Sequence, residues 1–195
     1  MANFRAIHRV GSSLVRYLNS AFALAAPVTP PVQFQLVSSG ELNEPGDRSN
    51  VVTLYLYRVT NDPFTRNLPA VNAASDDEVP LSLSLHYMLT VWSSSAQQEH
   101  LILGWVMREL YTHQALTPSD LLPDADWDPG EIIQLVPSEI ATEDMMRIWD
   151  ALEPGYRLSV SYTARVVRID ADAPADALPA VARRLTANAN AERPA

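Results

Sequence analysis

Between Leu81 and Trp92 the sequence alternates without a break. Leu81, Leu83, Leu85, Tyr87, Leu89 and Val91 take the odd positions, and Ser82, Ser84, His86, Met88, Thr90 and Trp92 take the even ones. Successive side chains of a strand point to opposite faces. A period of two therefore predicts a long strand with one face in a core and the other face more polar. This segment constrains the fold most, because such a strand needs a sheet around it and a helical layer over its apolar side.

Other segments supply that sheet. Residues 51–59 are β-branched and aromatic, and Asn61-Asp62-Pro63 stops them. Residues 156–170 read as a long last strand. In it Leu158, Val160, Tyr162, Ala164 and Val166 point one way, and Arg157, Ser159, Ser161, Thr163 and Arg165 the other. Residues 34–37 and 131–136 read as short strands.

Helical periods separate these strands. Ile7, Val10, Leu14, Leu18 and Ala21 form one stripe, opposite Arg5, Arg9, Ser12, Arg16 and Ser20, and Pro27 closes the segment. Ser93 to Ser95 offer N-caps, with Gln98 three residues after Ser95 as in a capping box. Leu101, Ile102, Trp105, Val106 and Leu110 then make a broad apolar face that runs out near His113. Thr142 caps a third predicted helix, with Glu143 and Asp144 in its first turn. Its buried face is Met145, Ile148, Trp149 and Leu152, and Pro154-Gly155 ends it.

The expected fold is therefore α/β (α+β) in a single domain. It has a mixed or antiparallel twisted sheet of about four to six strands, packed by about three helices. Residues 40–50, 61–80 and 117–130 read as loops rich in turn formers, the second with the acidic run Asp76-Asp77-Glu78. From Ala171 the composition collapses to small and polar residues, which divides the chain into a domain over 1–170 and a low-complexity tail over 171–195. In that tail Leu178, Val181 and Leu185 are the apolar contact candidates.

Charge and composition exclude several functions. The formal net charge is −9. A nucleic-acid binder normally shows the opposite field, so no nucleic-acid partner is expected. The chain has no cysteine, which removes disulfides, thiolate metal sites and thiol nucleophiles and suits a cytoplasmic setting. Every one of its 14 basic residues is arginine, whose planar fork suits packed, carboxylate-paired interfaces. Arg16 and Asn19 interrupt the N-terminal apolar stretch, which argues against a signal peptide. No run of 18 apolar residues occurs, so no membrane insertion is expected.

The search for chemistry finds none. The six glycines lie too far apart for a phosphate loop or a dinucleotide fingerprint. His8, His86, His100 and His113 lack the spacing of a helical metal pair. Asp124, Asp126 and Asp128 resemble the start of a calcium loop. However, Gly130 falls at loop position seven where six is required, and Leu135 stands where a chelating residue should close the loop. No catalytic residue, metal or cofactor is expected. Arg157, Ser159, Ser161, Thr163 and Arg165 form either a solvated sheet face or an interface, where arginine is enriched.

Four segments together resemble a known family. They are Leu54-Tyr55-Leu56-Tyr57-Arg58-Val59-Thr60-Asn61, the run from Pro80 to Trp92, Gly104-Trp105-Val106-Met107-Arg108-Glu109-Leu110, and the last strand over 156–170. They are similar to the tail-terminator, or cap, proteins of extracellular contractile injection systems, which are phage-tail-like particles. The resemblance covers about residues 4 to 170. It implies a structural, non-enzymatic role: a homo-hexameric ring on the terminal layers of inner tube and sheath that stops their elongation. Assembly would be cytoplasmic, in a particle that can then be released. The alternatives are a baseplate or adaptor protein of the same particle, or an enzyme with an unrecognised site.

Overall fold

The alternating run lies at the centre of the sheet. The computed structural model describes residues 2–25, 31–44, 49–62 and 81–169. Its strands are β1 (Gln33–Val37), β2 (Val51–Asn61), β3 (Leu81–Trp92), β4 (Ala115–Leu116), β5 (Ile133–Ser138) and β6 (Ser159–Ile169). Its helices are α1 (Ala6–Ala25), α2 (Ser39–Asn43), α3 (Ala96–Thr112) and α4 (Thr142–Asp150), with a 3-10 turn at Pro123–Ala125. The strands form one sheet in the order β1-β2-β3-β6-β5-β4. β1 runs parallel to β2, and the other neighbours are antiparallel. The mixed six-stranded sheet matches the class read from the sequence.

The odd face of β3 behaves as the period predicts. Leu83, Leu85, Tyr87, Leu89 and Val91 are buried in the main core with Val10, Leu14, Leu18 and Phe22 of α1 and Ile102, Trp105, Val106 and Leu110 of α3. Phe22 and Trp105 meet edge-on, ring centres 4.7 Å apart. α1 passes the sheet closely at Gly11, where a Cβ would lie 2.9 Å from Leu36 Cδ1 and 3.2 Å from the Tyr87 hydroxyl.

The even face departs from expectation. Met88 and Trp92 are not on a polar surface but in a second core with Leu42 of α2 and Trp149 and Leu152 near α4. The Trp92 indole N–H is satisfied by Thr53 Oγ1 at 2.8 Å. Periodicity cannot tell a polar face from one covered by a small second layer.

β6 also breaks its expected alternation. Ala164 pairs with Leu85 and Val167 with Leu83, so Arg165 and Val166 together oppose Ser84. This bulge puts Val167, rather than Val166, into the main core. Helix starts differ too. Ser95 makes no side-chain cap to α3; the Ser93 hydroxyl takes the Ser95 N–H at 3.2 Å and donates to Gln98 Oε1. The N-cap of α4 is Ala141, with Thr142 inside the first turn. A full capping box forms instead at Ser38 and Glu41, opening α2 within a segment read as loop. The expected tail, 171–195, lies outside the described residues.

Trp105 and Tyr162 are buried in the main core. Trp105→Ala and Tyr162→Ala should each cost about 3–5 kcal/mol, as aromatic truncations in a core do. Gly11→Val should cost about 1–3 kcal/mol through overpacking against Leu36. Denaturant midpoints of the three variants check this, and wild-type midpoints would contradict the core assignment.

Candidate functional site

α2 and α4 cover only part of the second sheet face. The rest is polar and is held by bonds across strands. Arg58 on β2 stands opposite His86 on β3, which stands opposite Thr163 on β6, which stands opposite Val136 on β5. The His86 ring is clamped between two hydroxyls, with Thr60 Oγ1 2.9 Å from Nε2 and Thr163 Oγ1 3.0 Å from Nδ1. Further along, Ser161 pairs with the Tyr57 hydroxyl at 3.0 Å and Ser159 with Thr90 at 2.8 Å.

This arrangement decides what the predicted interface residues are. Ser161 and Thr163 are buried and Ser159 partly so, and all three spend their hydroxyls inside the sheet. They form an internal seam and offer little to an outside partner. Arg157 and Arg165 are exposed, and the Arg157 guanidinium lies over the Trp92 ring at 5.4 Å. Leu178, Val181 and Leu185 lie outside the described residues.

Two bulges set the electrostatics. On β2 the pairing shifts between Leu56 and Arg58, leaving Tyr57 as the extra residue. On β6 the extra pair is Arg165 and Val166. Each bulge flanks β3 beside His86 and re-aims the neighbouring arginine. The ring is half-buried. Its pKa lies below the ordinary value, first because burial disfavours the cation and then because the Arg58 and Arg165 guanidiniums repel a third charge.

His86, Ser138 and Glu139 are shared by two adjoining cavities, of about 420 Å3 and 870 Å3, so the site is an open groove. Arg165 and Asp62 line the smaller part; Arg58, Tyr57, Ile148 and the Asp144–Arg147 pair line the larger. Among the described residues neither Arg58 nor Arg165 has an ion-pair partner. A hydroxyl–imidazole contact exists here, but no carboxylate orients the ring and both ring nitrogens are already engaged.

Other candidates resolve into structure. Asp126 accepts from the Asn3 side chain at 2.7 Å, and Asp128 Oδ1 takes the Gly130 N–H at 3.1 Å. They shape a turn, and among the described residues no cluster of metal-ligand type occurs. His113 stacks on Tyr17 with ring centres 4.2 Å apart, and the Tyr17 hydroxyl donates to Glu109, which ties α1 to α3. Sequence spacing gave no sign of the Arg58–His86–Thr163 row; only strand register brings it together. No helix among the described residues is long and apolar enough to cross a membrane.

Comparison with known proteins identifies the fold. A family model described as the Pvc16 N-terminal domain matches residues 9–183. Among solved structures the chain is similar to the sheath/tube terminator of an extracellular contractile injection system, PVC, in the extended state. The TM-score is 0.55 at 17% identity, over 93% of this chain and 64% of that one. It is also similar to the tube-terminating cap of the anti-feeding prophage, with a TM-score of 0.57 at 16% identity over 88% of this chain and 59% of that one. The chain thus spans less than two thirds of either. No curated protein matches it.

The depressed His86 pKa has a measurable consequence. As pH falls below about 6.5, the unfolded ring takes up a proton before the folded one, so the native state loses stability. The loss is absent above the ordinary value and complete below the folded pKa. His86→Gln should therefore flatten the dependence of melting temperature on pH as pH falls below about 6.5. An unchanged slope would show that the row does not hold the ring neutral.

Proposed function

The chain belongs to the Pvc16 N-terminal domain family, and on that premise we propose that it is a structural terminator of a contractile injection system. In this reading copies of the chain form a ring, of six subunits, on the terminal layers of inner tube and sheath and stop their elongation. The observation that carries it is the family match over 9–183, supported by a fold shared with two terminators of such particles. The site is compatible with this reading: among the described residues Arg58 and Arg165 form no ion pair, the seam hydroxyls bond within the sheet, and the reading assigns no catalysis. A net charge of −9 argues against a nucleic-acid partner. In this reading assembly occurs in the cytoplasm, before any release of the particle.

The test is particle length. Cells that make the particle without this chain should yield tubes of scattered length, and labelled chain should sit at one end only, away from the baseplate. Uniform lengths without the chain, or label at the baseplate, overturn the reading. Because β6 ends at Ile169, a chain stopped after Asp170 should melt like the full chain. If residues 171–195 contribute contacts to the neighbouring subunit, as Leu178, Val181 and Leu185 suggest, the shortened chain should cap fewer particles. Normal occupancy would remove the tail from the proposal.

A further inference from the structure

On the reading that this chain is a ring-forming terminator, we propose that the outer face of α3 receives the segment from Leu178 to Leu185 of the next copy. Three large apolar side chains stand open there: Leu101 is 54% exposed, Met107 45% and Tyr111 70%. Among the described residues no other helix or strand exposes more than one. Between Leu101 and Met107 stands Gly104, where an added Cβ would meet nothing within 4 Å. A glycine inside a helix weakens it relative to alanine, and no group of this chain comes close enough to require one. What the missing side chain leaves is a notch. Gly104, Met107, Arg108 and Tyr111 stand at i, i+3, i+4 and i+7, the corners of a hole that takes one side chain of a facing helix. Gln97, His100 and Leu101 make a second such hole with the same glycine.

The end of the chain has the matching pattern and the reach. β6 stops at Ile169, but the family match continues to residue 183, so the shared pattern outlasts the sheet and takes in Leu178 and Val181. Leu178, Val181 and Leu185 recur at helical spacing, and Pro179 falls in the first turn of such a helix, where proline is tolerated. Leu178 and Leu185 are one heptad apart, which is also the offset between the two holes. The stretch from Ile169 to Leu178 spans about 30 Å when extended, enough to leave one copy and cross to another. Charge fixes the direction. Among the described residues Arg108 has no ion-pair partner. Asp176 precedes Leu178, whereas Arg183 and Arg184 precede Leu185. Antiparallel docking seats Leu178 in the hole beside Arg108, brings Asp176 to that arginine and carries the two tail arginines away from it. A tail given to one neighbour and received from the other is a head-to-tail contact, the kind that closes a ring.

Gly104→Leu fills the notch. Its side chain stands in open space, so the isolated variant should melt at or above wild type and yet cap fewer particles. Wild-type occupancy overturns the proposal. The chain has no cysteine, so a disulfide reads the contact directly. Differently tagged Gly104→Cys and Val181→Cys chains, assembled together on particles and mildly oxidised, should link to each other. Arg108→Glu on the first chain should lower the yield by up to about fivefold, the most an exposed charge pair gives, and Asp176→Arg on the second should restore it. A yield indifferent to both changes overturns the proposal. So does a dilute Gly104→Cys/Val181→Cys double variant that links within itself, or the absence of links between chains on capped particles. In each of those cases the terminator role stands. If wild-type chain does not cap particles, the role fails and this contact with it.

Discussion

β3 is covered on both faces and hydrogen-bonded along both edges, and the rest of the structure follows from that. Its odd residues meet α1 and α3, and its even residues Met88 and Trp92 meet α2 and α4. Leu85 and Leu89 are fully buried. With β1 and β2, a strand in this position carries one core on each face of the sheet. It also forces a solution for its polar even residues. Burying a hydroxyl or an imidazole without a partner costs a few kcal/mol. Thr90 and His86 therefore reach sideways to Ser159, Thr60 and Thr163. The seam across β2, β3 and β6 is the consequence of covering only half of the second face.

The same half-cover creates the groove. α4 is nine residues long and buries Trp149 as its anchor. It covers the Met88 and Trp92 end of β3 and leaves the His86 end open. The two bulges fall beside that open end. A regular ladder would have kept Arg165 in strict alternation with Ala164 and Val166; the extra residue frees it to flank the ring. Two guanidiniums close to one imidazole raise the local potential, and the ring answers by staying neutral.

Much of the fold was legible because its elements are strongly periodic. The bounds of β3 and the buried Ile102, Trp105, Val106 and Leu110 of α3 follow from spacing alone, whereas Leu101, expected on the same face, is exposed because it lies at the edge of the stripe; the resemblance to terminators rests on those same segments. What was not legible depended on pairings between distant residues. The Arg58–His86–Thr163 row joins three strands, and nothing in any one strand announces it. The expected face of Arg157, Ser159, Ser161, Thr163 and Arg165 was correct as a set of neighbours up to the bulge. Its hydroxyls turn inward because Tyr57, Thr90 and His86 happen to lie opposite. The capping box at Ser38 and Glu41 was visible as a serine with a glutamate three residues on. It does not announce a helix, because only one apolar residue, Leu42, follows it, and that residue packs in the second core with Trp92 and Trp149.

Open sheet edges are a hazard for any β-rich protein, because they accept further strands. Both edges of this sheet are managed. On β1 the outward peptide of Phe34 is occupied by a side chain from α1: the Asn19 amide donates to the Phe34 carbonyl at 3.0 Å and accepts its N–H at 2.9 Å. That amide imitates a neighbouring strand and blocks a real one. On the far side β4 is two residues long, the Gln114 carbonyl takes the Leu135 N–H at 2.7 Å, and Pro137 has no N–H to offer. Strand addition is therefore disfavoured at either end. The surfaces left open are the faces: the mixed-charge groove beside His86 on one side, and on the other the exposed Leu101, Met107 and Tyr111 of α3. Faces that differ in chemistry can distinguish the front of a copy from its back, whereas an open strand edge accepts any chain that can extend. A ring needs the first kind of surface, because closure depends on every copy docking in the same sense.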